Sequence, residues 1–216
     1  MSFILSKSTY IRGLQCEKSL FLNKFKKKER DVLSEEKKIR FEGGRTFEDD
    51  FRATLGEGVN IAKENPNQFF KYAKITSNLI SLKEKLIFEA TFVFDDVLVM
   101  VDALRLNENG TYTAYEVKNS PEIKEVHKND LGIQYYVVKH SIENLESFNL
   151  VLNGGDGFKI IDLKNEVGEI QPKIPQNVAN LKGIIANKTE PIQPMGDQCH
   201  NPYDCDFLGY CGKSLF

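Results

Sequence analysis

The sequence predicts an α/β (α+β) fold, a central mixed sheet flanked by helices with the two ends of the chain drawn together. Three observations carry that expectation. Residues 86–118 contain three apolar runs separated by turn residues, the pattern of an antiparallel meander. The stretches 34–55 and 122–146 on either side repeat apolar residues at helical spacing. Four cysteines stand at Cys16, Cys199, Cys205 and Cys211, one near the start of the 216-residue chain and three near its end.

Residues 4–25 read as a helix, with Ser6 or Ser8 as N-cap and Leu14, Leu20, Phe21 and Phe25 among its apolar positions. Cys16 lies inside it. The basic run Lys24–Arg30 is either a solvated helix end or a nucleic-acid contact. A second helix is expected over 34–55, with Phe41, Gly44, Phe51 and Leu55 on a buried stripe. Glu48 falls on that stripe, where a carboxylate is costly without a partner. The Gly43-Gly44 pair would let another backbone come close.

In the meander, LIFEATFVF forms the first strand and Asp95-Asp96 the tight turn after it. The second strand, VLVMVDALRL, is apolar on both faces and therefore central. NENG turns the chain into the third, TYTAYEVK. Residues 122–146 follow as a helix with Leu131, Tyr135, Val138 and Ile142 on one face. FNLVLN and FKIIDLK are two short strands around Asn153–Gly157. That glycine loop lacks a phosphate-binding pattern and reads as a hairpin turn. Residues 171–180, with Pro172 and Pro175, read as a linker, and LKGIIANK as a short helix leading into the cysteine segment. The chain thus divides into 1–33, 34–170 and 171–216.

Hydrophobic residues make up 41% and charged residues 28%, which excludes a disordered chain. No apolar run reaches the ~18 residues of a membrane span, and the N-terminus lacks the apolar core of a signal peptide, so a cytoplasmic location with no membrane partner is expected. The net charge of −2 leaves room only for a local basic patch, not a general field for nucleic acid. In a reducing compartment, clustered cysteines are more often metal ligands than disulfides. Four thiolates suit a tetrahedral zinc or a [4Fe–4S] cluster.

The acidic residues of the meander form a second constellation. If the Asp95-Asp96 turn pairs Phe94 with Val97, Glu89 sits opposite Asp102. If a five-residue loop over 107–111 pairs Leu106 with Tyr112, Asp102 faces Glu116, and Gly110 supplies the left-handed residue that loop needs. Lys118 lies two residues on, along the same face as Glu116. Carboxylates gathered this way repel unless a cation binds, and oxygen ligands suit Mg²⁺ or Mn²⁺. A lysine beside them can position water or neutralise developing charge. These are parts for metal-dependent phosphodiester hydrolysis.

Asp102 in MVDAL followed by Glu116-Val117-Lys118 in YEVKNS resembles the PD-(D/E)xK nuclease core. LSKSTYIRGLQCEKSLFL and CHNPYDCDFLGYC resemble the ends of RecB-like nucleases that carry an iron–sulfur staple, including CRISPR-adaptation exonucleases and AddB-type repair nucleases. The resemblance implies a restriction-endonuclease-like core over 34–170. It implies Asp102 and Glu116 as metal ligands, with Glu48 and Glu89 as further candidates, and Lys118 as catalytic lysine. Glu48 stands where many members have histidine, and Gln134, in LGIQYY, stands at the helical glutamine. Cys16, Cys199, Cys205 and Cys211 match the [4Fe–4S] ligands, tying the N-terminal helix to the C-terminal segment. The implied activity is an Mg²⁺- or Mn²⁺-dependent deoxyribonuclease, an exonuclease by analogy. DNA is the partner, with other proteins of a CRISPR-adaptation or repair complex. A zinc-stapled nucleic-acid-binding or interaction module with little turnover is the alternative.

Overall fold

The computed structural model describes residues 3–61 and 68–213. The chain enters through a two-residue strand, β1 (Leu5–Ser6), and turns directly into α1 (Lys7–Gln15). Ser6 is the N-cap: its hydroxyl accepts from the Thr9 N–H, and the Thr9 hydroxyl oxygen accepts from the Ser6 N–H. The single helix expected over 4–25 is two helices. Cys16 adopts an extended conformation (φ −160°, ψ 115°) and ends α1, and α2 (Glu17–Phe25) begins immediately after it. The Cys16 sulfur caps α2 by accepting from the Ser19 N–H at 3.4 Å, so the break costs few unsatisfied groups.

Ser34 caps α3 (Glu35–Leu55). The expected stripe is buried only toward its C-terminal end. Phe51 is 1% exposed and Phe47 and Leu55 pack beside it, but Phe41 is 49% exposed. A helical stripe is buried only as far as a layer lies beneath it. Here that layer is Leu86, Phe88, Ala103, Tyr115, Val117 and Val151. No neighbour approaches Gly44, and Gly43 offers its carbonyl to the Asn119 side chain at 3.1 Å.

The sheet is mixed. Its spatial order is β2 (Val59–Asn60), β3 (Leu86–Phe94), β4 (Val97–Leu106), β5 (Tyr112–Lys118), β6 (Leu145–Asn153) and β7 (Phe158–Asp162), with β1 added on β4. β3, β4 and β5 form the antiparallel meander, while β1 joins β4 and β2 joins β3 in parallel. The turn at Asp95 and Asp96 has positive φ at both residues (49° and 55°), as a two-residue hairpin turn requires. Gly110, at φ 82°, closes the 107–111 loop. After β5 the chain crosses through α5 (Glu125–Lys139) and returns as β6, parallel to β5. β7 then forms a hairpin with β6 around Gly155. α4 (Phe69–Ser81), for which the sequence pattern raised no expectation, packs on β3 with Tyr72 and Thr76 buried.

The 171–180 span is not a linker. α6 (Lys164–Ile170) passes through one 3₁₀ turn into α7 (Ile174–Asn187). Pro175 stands in the first turn of α7, where its missing N–H has no intrahelical partner to lose. Ile174, Val178, Leu181 and Ile185 carry α7 into the main core, together with Leu131, Val137 and Val138 of α5 and one face of the sheet. α3 covers the other face. The short α8 (Leu208–Lys213) closes the described chain, and Phe207 before it packs between Phe21 and Leu22 of α2. No helix among the described residues is long and apolar enough to cross a membrane.

Candidate active site

β4 and β5 pair from Leu106/Tyr112 to Ala103/Tyr115 and then separate. On the edge of β4 that β5 leaves, β1 pairs with Val97 and Leu98. A gap in the sheet therefore opens between these two pairings, at Asp102 and Glu116, the next positions in register. Asp102 bridges it. Its Oδ2 accepts from the Val117 N–H at 2.7 Å, replacing a ladder carbonyl.

The neighbouring β3–β4 ladder changes at the same level. It pairs Phe88 with Ala103 and Ala90 with Val101, and Glu89 opposite Asp102 drops out. Glu89 has φ 58°, in the left-handed region. Ala90 and Phe92 share the main core with Ile87, as Val97, Val99 and Val101 do with Leu104. Each strand thus advances three residues between core positions across this point instead of two. The sheet kinks where its carboxylates lie, a device common beside active sites.

The expected gathering of Glu89, Asp102, Glu116 and Lys118 on one face becomes two ion-pair clusters with Asp102 between them. Toward α5, Glu116 is 1% exposed and its Oε1 accepts from Lys118 Nζ at 2.6 Å and Lys7 Nζ at 2.5 Å. Asp130 of α5 takes the same two lysines, at 2.6 Å from Lys118 and 3.6 Å from Lys7. Glu116 Oε2 is buried without a hydrogen-bond partner among the described residues. Toward α3, Arg52 bonds Glu89 at 2.6 Å and also Glu48, one turn before it. Glu48 therefore does face the site, with Arg52 as the partner that a carboxylate on an apolar stripe requires. Gln134 is fully buried on α5, and neither end of its amide has a hydrogen-bond partner among the described residues.

Electrostatics divide the two central carboxyls. Burial pushes Asp102 well above the usual carboxylate range, and the charges of Glu116 and Glu48 add to it. Burial acts on Glu116 in the same sense, but the ammonium groups of Lys118 and Lys7 outweigh it and hold Glu116 below its ordinary value. Lys7 and Lys118 are desolvated too, yet Asp130 and Glu116 raise both above the ordinary lysine value. Burial, with Lys118 nearby, lowers His127 on α5.

Lys7, Asp130 and Arg52 were not singled out by the sequence. Asp130 and Arg52 carried a signal: each lies four residues from a candidate on its own helix, Gln134 and Glu48. Lys7 carried none, since its place depends on β1 joining β4. Among the described residues no group of three or more histidine, cysteine or carboxylate side chains is disposed to hold a metal as it stands. The carboxylates instead hold the chain's own lysines and arginine.

The four cysteines meet at the other end of α1. Cys16, Cys199, Cys205 and Cys211 line one pocket between α2, the 193–199 segment and α8, walled by Leu22, Phe207 and Leu208. None is in a disulfide. Burial raises the Cys16 thiol, and the sulfurs of Cys205 and Cys199 lie close enough to raise it further. Cys211 is raised by burial and by the other three sulfurs, with Lys18 opposing. The Cys205 N–H donates to the Cys199 carbonyl at 2.7 Å, folding that segment on itself. Arg12 to Asp206, at 2.7 Å, ties α1 to the C-terminal segment. All four sulfurs line this pocket, but among the described residues they are not disposed to hold a metal as they stand; thiolates are the donor type that a soft metal or iron–sulfur group takes.

No protein-family profile matches the chain, and no curated protein does. Among solved structures, one described as "Crystal structure of SSO0001" is similar at 14% identity, over 100% of this chain and 86% of that one, with a TM-score of 0.36. Similarity at that level carries no argument about function.

Proposed function

We propose that the protein is a metal-dependent DNA nuclease of the PD-(D/E)xK type, held together by a [4Fe–4S] cluster on its four cysteines. The observation that supports it most is the gap between β4 and β5, where Asp102, Glu116 and Lys118 converge with a buried oxygen of Glu116 left unpaired. Asp102 and Glu116 would hold the divalent cation. Once bound, that cation supplies a polarised water and charge neutralisation at the scissile phosphate. Lys118, which Asp130 fixes, would hold the attacking water and offset the charge that develops on the phosphate. Glu48, steadied by Arg52, borders the same gap and can orient water. Gln134 brings a buried amide to the α5 side, where an enclosed water can satisfy it. Cys16, Cys199, Cys205 and Cys211 would hold the cluster, whose contribution is to join the chain's two ends and so constrain the unfolded state. The DNA-degrading role in CRISPR adaptation or repair rests on resemblance alone.

The test is digestion of end-labelled single- and double-stranded DNA with Mn²⁺ or Mg²⁺, alongside an iron and zinc assay of anaerobically purified protein. Metal-dependent cleavage lost in Asp102→Ala, with about four irons per chain, is the expected result. DNA binding with zinc and without cleavage would instead favour the binding-module reading.

A further inference from the structure

Lys7 is an unusual occupant of its position. It is the first residue of α1, where the helix dipole disfavours a cation. Its ammonium crosses to a carboxylate 109 positions away in sequence and shares Glu116 Oε1 with Lys118. The two lysines are not held alike. Lys118 has two short contacts, 2.6 Å to Glu116 and 2.6 Å to Asp130, whereas Lys7 has one, 2.5 Å to Glu116, with Asp130 at 3.6 Å. When Glu116 engages another cation, Lys118 keeps a full-strength partner and Lys7 does not. A divalent ion on this carboxylate would also repel both ammonium groups, and the less anchored one yields.

Resting on the nuclease reading, we propose that Lys7 is the displaceable cation of the site: it occupies Glu116 until a divalent cation takes that carboxylate, and then turns to a phosphate of the DNA. Both of its positions serve the same end. Before loading, it prevents buried like charges from standing unpaired. After loading, its side chain, 24% exposed and thus open toward solvent, carries a positive charge beside the gap, where the substrate backbone must lie. The capping box of Ser6 and Thr9 fixes the backbone from which this side chain swings.

The experiment is Mn²⁺ titration by calorimetry on cluster-loaded wild type, Lys7→Gln and Lys7→Arg, paired with single-turnover cleavage at saturating Mn²⁺. Removing a competitor predicts Mn²⁺ binding in Lys7→Gln tighter by roughly tenfold, with cleavage slower by a similar factor or more. Lys7→Arg retains the charge and should stay within about threefold of wild type in both. A merely structural Lys7 would show the reverse sign, with weaker Mn²⁺ binding in Lys7→Gln, and unchanged or weaker binding overturns the proposal alone. If wild type shows no saturable Mn²⁺ binding, the proposal and the nuclease reading fall together. If Mn²⁺ binds and Lys7→Gln tightens it while wild type cleaves no DNA, Lys7 is still the displaceable cation and only the nuclease reading falls.

Discussion

Two amide substitutions, each at a proposed metal ligand, should move the metal-free stability in opposite directions. Glu116→Gln takes a carboxylate that is 1% exposed away from two ammonium groups. Asp130 remains for Lys118, so the loss sits at the lower end for breaking a buried pair, about 3 kcal/mol. For a chain of this size that corresponds to a melting temperature lower by about 6–12 °C. Asp102→Asn removes a charge that burial and two neighbouring carboxylates already disfavour, and the new amide oxygen can still accept from the Val117 N–H. It should stabilise by about 1 kcal/mol at neutral pH. The pH dependence follows from the direction of the shift. A carboxyl raised in the folded state costs the wild type stability as pH climbs from its unfolded value, ~3.9, through its folded one, so the Asn variant's advantage opens over that window and closes in acid. The assay is thermal unfolding followed by circular dichroism in chelator and in Mn²⁺, from pH 4 to 8. Wild type at a hundredfold excess of Mn²⁺ over its Kd should gain about 2.7 kcal/mol, and neither variant should. A Glu116→Gln protein as stable as wild type without metal, or an Asp102→Asn protein less stable at pH 7, would refute the electrostatic account.

Cys205→Ser should lose iron and melting temperature together, measured by iron assay and unfolding on the same preparation; full iron at unchanged stability would exclude the four-cysteine site. Phe51→Ala should destabilise by about 3–4 kcal/mol in denaturant titration, since this fully buried ring joins α3 to Tyr115 and Phe158. Glu48→Gln should leave the melting temperature within about 2 °C while cleavage falls more than tenfold, because Arg52 keeps Glu89. Gln134→Ala should slow cleavage more mildly, read as kcat at saturating DNA, an amide adding orientation but no charge.

Period-two alternation and turn chemistry alone were enough to lay out the meander. Phe94 pairs with Val97 and Leu106 with Tyr112, the registers that a two-residue turn at Asp95-Asp96 and a five-residue loop closed by Gly110 set. The same arithmetic brought Asp102 level with Glu116 and Glu89. Alternation describes a regular strand, however, and the sequence does not mark where regularity stops. Glu89 enters the left-handed region, β4 and β5 part, and what would be one acidic face becomes a gap with an ion-pair cluster on each side. Beyond the gap the edge of β4 is taken by β1, which pairs Leu5 with Val97 and Ser6 with Leu98. Lys7 follows from it and was therefore invisible locally, as was the partial burial of α3, which depends on how far the sheet extends beneath it. Cys16 makes the same point in reverse. Its gathering with the other three cysteines was expected from their count, but its position between two helices was not. Helix periodicity runs through residue 16 without a break, and only the packing of α1 and α2 against the C-terminal segment selects the extended conformation that turns its sulfur toward the other three.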